Sequence, residues 1–156
     1  MLIESVMKRE VVSIGHQGRL QEAIDLLIGN RIGILPVVNA EGVLIGIVRL
    51  RDLLELVLPA FVAMVEDYDF VQDFGRLEMG KIPEEVRAAP VRDIMAEPLA
   101  VEVGSGLLRA HAFMRQHNLH DLPVVNGEGR LVGLASWVDV GVGFLKSASE
   151  PQSGAS

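Results

Sequence analysis

Two four-residue segments carry side chains suited to hydrogen-bonding chemistry, Ser136-Trp137-Val138-Asp139 and Arg49-Leu50-Arg51-Asp52. A hydroxyl and a carboxylate three residues apart at a helix start are typical of a capping box, which satisfies backbone donors and binds nothing else. A helix N-terminus with a hydroxyl can also receive an anionic group such as phosphate. The spacing by itself favours the cap for Ser136 and Asp139.

An arginine replaces the serine in the earlier segment, so its chemistry differs. Arg49 cannot cap a helix as serine does, but a guanidinium can hold a phosphate through two parallel hydrogen bonds. It can equally form an ion pair with Asp52 and fill the site. Asp52 can also simply complement the positive end of the helix dipole. The sequence leaves these three roles open.

The two segments occupy equivalent positions in a duplicated unit. Residues 35–39, Leu-Pro-Val-Val-Asn, recur at 122–126, and the same offset of 87 positions relates Asp52 to Asp139. Each copy has an apolar face that it cannot bury alone, so we expect the copies to pack together. Such packing leaves a cleft along a pseudo-two-fold axis, which is where we expect the functional site.

The spacing of apolar residues predicts strand, helix, strand, strand, helix in both copies. The predicted elements are 10–14, 20–30, 34–38, 43–48 and 49–58 in the first copy, and 99–103, 106–118, 122–125, 131–135 and 136–146 in the second. The predicted fold class is α/β (α+β), with two tandem β-α-β-β-α repeats packed about a pseudo-two-fold axis. The predicted units are 1–58, an inter-repeat helical linker 59–90, 91–146 and a disordered tail 147–156, rich in Ser, Ala and Gly.

The linker contains four of the seven aromatic residues of the chain. Apolar side chains follow steps of three and four, which predicts one stripe along a continuous or Pro59-kinked helix. The stripe consists of Leu54, Val57, Phe61, Met64, Tyr68 and Val71. We expect it to pack on the module itself, and an intersubunit or partner-binding face is the alternative.

The composition excludes several functional classes. A net charge of −7 argues against a broad nucleic-acid surface, and the absence of cysteine excludes disulfides, thiolate metal sites and cysteine nucleophiles. The N-terminal residues do not form a signal peptide, and the longest apolar run, 56–65, is shorter than the ~18 residues of a membrane span. We therefore expect a cytoplasmic protein without a membrane span.

Neither a metal site nor a catalytic centre is predicted. At ~100° per residue, His111 and His117 point about 120° apart on their helix and do not share a face as zinc-binding pairs do. No glycine-rich phosphate loop with a following lysine is present, and no local motif suggests a Ser, His and acid set. We expect no enzymatic activity, no catalytic residues and no required cofactor.

The element order, the Leu-Pro-Val-Val-Asn turn into a glycine-containing hairpin, and the Asp early in the last helix resemble the CBS-domain family. Two such repeats in one chain resemble a CBS pair, or Bateman module. The resemblance covers about residues 3–58 and 90–146, including the lead-in 91–95, Val-Arg-Asp-Ile-Met. It implies a regulatory module that binds AMP, ADP, ATP or S-adenosylmethionine in the cleft between two tandem CBS repeats.

The ligand motif of the family is Ser or Thr, two residues, then Asp, where the third strand meets the last helix. Ser136 and Asp139 match it, whereas Arg49 and Asp52 match only at the Asp. The resemblance implies that the Asp accepts hydrogen bonds from ribose hydroxyls and that the helix N-terminus holds phosphate. It therefore favours one site over two.

Other expected ligand contacts also follow from the resemblance. Family members place a Thr or Ser in the first strand near the base or sugar, a position held by Ser13 in the first copy and by Ala100 in the second. A composite site that uses Ser13 and Ser136 is one alternative. Apolar walls for the base, or simply core packing, are expected of Pro36, Leu122 and Pro123.

Three functions are compatible with these features. The first is an adenosine-ligand sensor that acts as a homodimer and controls a protein partner in trans, because no enzyme, channel or transporter domain is recognisable in the chain. Arg49, Arg51 and Arg130 are then candidates for phosphate discrimination. The second is a dimeric interaction scaffold without ligand binding. An unrecognised small enzyme ranks third.

Overall fold

A computed structural model describes residues 1–64 and 79–151 and contains the predicted duplication. The first repeat consists of β1 (Ile14–Gly15), α1 (Leu20–Asn30), β2 (Ile34–Val38), β3 (Leu44–Arg49) and α2 (Leu50–Val57). A short helix α3 (Glu84–Ala88) precedes the second repeat, which consists of β4 (Val101–Glu102), α4 (Leu107–His117), β5 (Asp121–Val125), β6 (Leu131–Ser136) and α5 (Trp137–Ser149). In the described residues, 3-10 turns lie at Ile3–Ser5, Ala60–Met64 and Val91–Asp93.

Each repeat builds its own three-stranded sheet. The strand orders are β1-β2-β3 and β4-β5-β6, with the first pair of each sheet parallel and the second antiparallel. Pro36 lies opposite Ile47 and Pro123 opposite Leu134, so the registers are equivalent. The predicted fold class, two tandem β-α-β-β-α repeats, is confirmed.

The duplicated Asn and Gly residues shape the hairpin turns. The side-chain oxygen of Asn39 accepts hydrogen bonds from the backbone amides two and four residues ahead, at 3.1 and 2.9 Å. The side-chain oxygen of Asn126 does the same, at 3.0 Å for both amides. Gly42 and Gly129 have φ values of 80° and 77°, in the left-handed region that favours glycine. The repeated sequence is therefore required by the turn as well as by the strand.

The two repeats exchange the segments that precede their first strands. Lys8 pairs through its backbone with Leu134 of the second repeat, at 2.8 and 2.9 Å. Ala96 pairs in the same way with Ile47 of the first repeat, at 2.8 and 3.1 Å. Each lead-in segment thus extends the sheet of the other repeat.

The exchanged segments also complete the two hydrophobic cores. Ile3 and Met7 pack in the core of the second repeat, whereas Val91 packs in the core of the first. The side chains of Ile3 and Val91 are fully buried. Neither repeat therefore has a complete core without the lead-in segment of the other.

Several predicted elements differ from the structure at their ends. The first strands were predicted as 10–14 and 99–103, but only Ile14–Gly15 and Val101–Glu102 pair with a neighbouring strand. Helix α5 continues to Ser149, three residues into the segment 147–156 that was predicted to be disordered. Residues 152–156 lie outside the described part of the chain.

The predicted helix along the apolar stripe ends early. Leu58 adopts an extended conformation with φ −83° and ψ 144°, because the residue before a proline disfavours the helical region. After Pro59 the described residues continue as the 3-10 turn Ala60–Met64. Tyr68 and Val71, the remainder of the stripe, lie outside the described residues.

None of the helices in the described residues combines the length and the apolar character that a membrane span requires.

Two equivalent glycines allow the lead-in segments to approach their sheets closely. A Cβ atom on Gly46 would overlap the side chain of Met95 and lie 3.0 Å from the backbone oxygen of Ala96. A Cβ atom on Gly133 would overlap the side chain of Met7 and lie 3.1 Å from the oxygen of Lys8. These glycines are therefore contact positions between the repeats.

We expect Gly46→Ala and Gly133→Ala each to lower the free energy of unfolding by about 1–3 kcal/mol, the usual cost of overpacking. Urea denaturation measures this change. Gly15→Ala is the control, because no atom lies within 4 Å of its Cβ position. Equal stability of the Gly46→Ala and Gly15→Ala proteins would contradict the close approach.

Candidate functional site

A cleft of about 200 Å³ lies between the two repeats, where their symmetry predicts one. The first repeat contributes the start of β2 and the region where β3 meets α2. The second repeat contributes the end of α4 and the start of β5. The lining residues are Gly33, Ile34, Arg49, Leu50, Arg51, Leu54, Asn118, Leu119, His120 and Asp121.

Backbone hydrogen bonds fix the helix starts beside this cleft. The amide of Leu50 donates to the carbonyl of Gly33 at 2.9 Å, and the amide of Trp137 donates to the carbonyl of His120 at 2.7 Å. Across the cleft, Arg51 donates through Nη1 to the carbonyl of Asn118 at a longer 3.4 Å. The helix N-termini are therefore firmly placed, whereas the side-chain contact across the cleft is weak.

The guanidinium of Arg49 is paired with Asp52. Nε lies 2.7 Å from one carboxylate oxygen and Nη2 lies 3.2 Å from the other. Of the three roles that the sequence left open, the structure has the ion pair. Each oxygen of Asp52 thus accepts a hydrogen bond from Arg49, and the ion pair reduces the negative charge that this carboxylate offers to a ligand.

Ser136 and Asp139 form the capping box that their spacing predicts. One carboxylate oxygen of Asp139, Oδ2, accepts hydrogen bonds from the backbone amide and the hydroxyl of Ser136, both at 2.8 Å. The Ser136 hydroxyl oxygen accepts from the amide of Asp139 at 3.1 Å. Within residues 1–64 and 79–151, the other oxygen, Oδ1, has no hydrogen-bond donor. A cap and a ligand contact are therefore compatible at this carboxylate.

Asp121 is a site residue that was missed in the sequence. Its side chain is half-buried, and Oδ2 lies 3.6 Å from the position that a Cβ atom would have on Gly33 of the other repeat. Burial raises the pKa of the Asp121 carboxyl, the nearby Asp139 raises it further, and His120 and Lys8 oppose this shift. Alignment of the two repeats contains an indication of this role, because Asp121 has a charged side chain where the equivalent residue of the first repeat, Ile34, is apolar.

The other predicted site residues do not line the cleft. Pro36, Leu122 and Pro123 are fully buried in β2 and β5, so core packing is the role that the structure has for them. Ser13 and Ala100 are half-buried and immediately precede β1 and β4.

Arg130 lies away from the cleft. It is exposed on the second hairpin turn, with Nε 3.5 Å from a carboxylate oxygen of Glu128. Of the residues predicted to contact the ligand, Arg49 and Arg51 belong to the cleft lining in the described part of the chain.

The histidines near α4 pack on aromatic rings. The ring centroids of His111 and Trp137 are 4.7 Å apart, and those of His111 and Phe144 are 5.8 Å apart in an edge-on arrangement. His117 packs on Phe113 at 4.4 Å. Among the described residues, no three His, Asp or Glu side chains are grouped closely enough to hold a metal ion.

A second cavity, the α1–α2 groove, lies on the first repeat and has a volume of about 550 Å³. It is mostly apolar. At the equivalent place in the second repeat the aromatic group of His111, Trp137 and Phe144 lies between the helices. The corresponding residues of the first repeat are the smaller Ile24, Leu50 and Val57, which line the groove.

Known proteins match this chain over both repeats. The family model described as the CBS domain matches residues 3–59 and 91–140. A CBS domain-containing protein of Dictyostelium discoideum is 29% identical over 141 residues, which are 90% of this chain and 88% of that protein.

Solved structures have the same fold. The crystal structure of CBSX2 in complex with AMP is 21% identical and has a TM-score of 0.68, with 94% of this chain and 98% of that chain covered. The CBS domain pair of protein MJ0100, in complex with 5-methylthioadenosine and S-adenosyl-L-methionine, is 19% identical with a TM-score of 0.63, covering 92% and 99% of the chains. Because the family model matches both repeats, the chain belongs to the CBS domain family, with two CBS domains arranged as a pair.

Proposed function

We propose that this protein is a regulatory sensor that binds an adenosine-containing ligand in the cleft between its two CBS repeats and controls a protein partner in trans. The observation that carries the proposal is the cleft itself, whose walls come from both repeats beside the N-terminus of α2. A ligand in this position contacts both repeats at once. The affinity of the ligand therefore depends on the relative orientation of the repeats.

The ligands present in structural relatives support the chemical class. CBSX2 binds AMP, and the CBS domain pair of MJ0100 binds 5-methylthioadenosine and S-adenosyl-L-methionine. Because those proteins share only 21% and 19% identity with this chain, they support an adenosine ligand here without selecting among AMP, ADP, ATP and S-adenosylmethionine.

The two repeats differ in what they offer a ligand. In the second repeat, Oδ1 of Asp139 is available to accept a ribose hydroxyl, while Oδ2 keeps the cap in place. In the first repeat, the ion pair with Arg49 occupies both oxygens of Asp52. We therefore infer one principal adenosine site per chain, which extends from Asp121 in the cleft lining to its sheet partner Ser136 and to Asp139 as the ribose and phosphate side.

Arg51, on the first-repeat wall of the cleft, suits the anionic part of a nucleotide. Arg51 has a half-exposed guanidinium, which reaches across the cleft to the carbonyl of Asn118 at 3.4 Å and lies 3.9 Å from a carboxylate oxygen of Asp52. Exchange of that weak contact for a phosphate oxygen gives a stronger, charge-assisted hydrogen bond. The ligand changes the orientation of the repeats only as far as it binds one arrangement better than another.

A second candidate function is a dimeric interaction scaffold that binds no nucleotide. The α1–α2 groove favours it, together with Ile28, a residue of the groove lining whose side chain is 70% exposed. Exposed apolar surface of this kind commonly marks a protein interface. The two functions are compatible if the sensor is a homodimer.

We expect at least one of AMP, ADP, ATP and S-adenosylmethionine to raise the thermal unfolding midpoint. A ligand at 100 times its dissociation constant adds about 2.7 kcal/mol to stability, which for a chain of this size is roughly 5–10 °C. Differential scanning fluorimetry with the four ligands measures the shift. No shift with any of them, confirmed by calorimetry, would favour the scaffold.

We expect Asp139→Ala to abolish the ligand-induced shift, because it removes the carboxylate that accepts the ribose hydroxyl. It also removes part of the cap, at a cost of about 1 kcal/mol. Ser136→Ala also weakens the cap but keeps the carboxylate, so it should reduce the ligand-induced shift less than Asp139→Ala does, and Asp52→Ala should also reduce it less. Equal ligand affinity of the wild-type and Asp139→Ala proteins by calorimetry would refute the assignment.

We expect a homodimeric mass by light scattering at micromolar concentration, and we expect Ile28→Glu to shift the protein to monomer, because it places a charge at the α1–α2 groove. Leu108→Glu, on α4 in the other repeat, is a control of matched exposure and should remain dimeric. A monomeric mass for the wild-type protein would exclude the homodimer.

A further inference from the structure

Asp121 presents a carboxylate to the inter-repeat cleft without a bonding partner. Within residues 1–64 and 79–151, its side chain takes part in no hydrogen bond or ion pair, although it is half-buried at the start of β5. His120 and Lys8 lower the pKa of Asp121 through their electrostatic field, against the effect of burial, and neither forms a hydrogen bond or ion pair with it. The carboxylate is therefore an acceptor that the described residues leave unused.

The opposite repeat leaves this carboxylate open. The residue that faces it is Gly33, and a Cβ atom there would lie 3.6 Å from Oδ2 of Asp121, in van der Waals contact. Any longer side chain at position 33 would cover the oxygen. The repeats differ at these positions, because His120-Asp121 in the second repeat corresponds to Gly33-Ile34 in the first.

A ligand that covers this carboxylate must bring a hydrogen-bond donor. Burial of an ionised group without a partner is costly, so a ligand surface that lacks a donor is disfavoured at this place. The adenosine ligands share two kinds of donor, the ribose hydroxyls and the 6-amino group of adenine. The ribose is assigned to Asp139, which leaves the amino group for Asp121.

The surroundings of Asp121 suit a purine ring. Ile34, Leu50 and Leu54 contribute apolar side chains to the same cleft. A flat, weakly polar ring gains by leaving water for such a surface, while its amino group needs an acceptor at the edge. The apolar wall and the acceptor are both present in the cleft.

We propose that Asp121 determines the specificity of the site for 6-aminopurines by accepting a hydrogen bond from the exocyclic amine of a base held between the repeats. This assignment rests on the proposed adenosine-binding function and adds the group that recognises the base. Hydrogen bonds to a charged acceptor are strong enough for a preference of roughly 10-fold to 100-fold over the same base without the amine.

The test compares AMP with purine riboside 5′-monophosphate, which differs from AMP only by loss of the 6-amino group. Isothermal titration calorimetry on the full chain should show AMP binding at least about 10-fold more tightly to the wild-type protein. Asp121→Ile places at this position the side chain type that the first repeat has at Ile34. The Asp121→Ile substitution should bring the affinities for the two nucleotides to within about threefold of each other, mainly because it weakens the binding of AMP.

Asp121→Asn keeps an acceptor oxygen without the charge and should retain an intermediate preference. It also carries the test if Asp121→Ile fails to fold, as judged by circular dichroism. Equal wild-type affinities for the two nucleotides, or an unchanged preference in a folded Asp121 variant, would overturn this assignment while adenosine binding stands. Failure of both nucleotides and of the other adenosine ligands to bind the wild-type protein would overturn the proposed function as well.

Discussion

The exchange of lead-in segments between the repeats is the constraint on which the rest of the structure depends. Lys8 pairs with Leu134 and Ala96 with Ile47, so each sheet ends on a strand segment from the other repeat. Ile3 and Val91, which belong to these lead-in segments, are fully buried in the cores of the second and the first repeat, respectively. Because neither core is complete alone, the repeats form one cooperative unit, and the cleft lies between two repeats that cannot separate.

A symmetric backbone supports an asymmetric site. The helix starts are held in the same way in both repeats, through Leu50 and Trp137, yet the side chains beside them differ. In the first repeat an ion pair neutralises Asp52, and in the second a capping box leaves one oxygen of Asp139 available. Duplication thus gives two equivalent backbone arrangements, and the side chains on them determine which of the two can bind a ligand.

Much of the fold was predictable from the repeat, and much of the site was not. Periodic apolar residues predicted α1 at Leu20–Asn30 without error, because one helical face packs on one sheet. The lead-in exchange was not predictable, because local sequence does not state which of two similar sheets a segment will join. The same limit applies to Asp52, whose pairing with Arg49 depends on rotamers rather than on spacing alone.

Asp121 was missed for a different reason. The motif of its own repeat does not include this residue, and part of its environment comes from Gly33 across the cleft. The contrast between an acidic residue and Ile34 at equivalent positions is visible in the sequence, but its meaning depends on the packing of the two repeats. Predictions for duplicated folds should therefore compare equivalent positions for differences as carefully as for matches.

The distribution of contact strength between the repeats indicates where a ligand can act. The lead-in segments are held by pairs of backbone hydrogen bonds of 2.8–3.1 Å, and the hairpin turns are joined by two more at 3.0 Å. At the cleft, the contact from Arg51 to Asn118 is a single side-chain bond of 3.4 Å. A ligand that replaces this weak contact and donates a hydrogen bond to Asp121 acts on the least constrained part of the interface between the repeats. It shifts their orientation as far as it binds one arrangement of the repeats more tightly than the other.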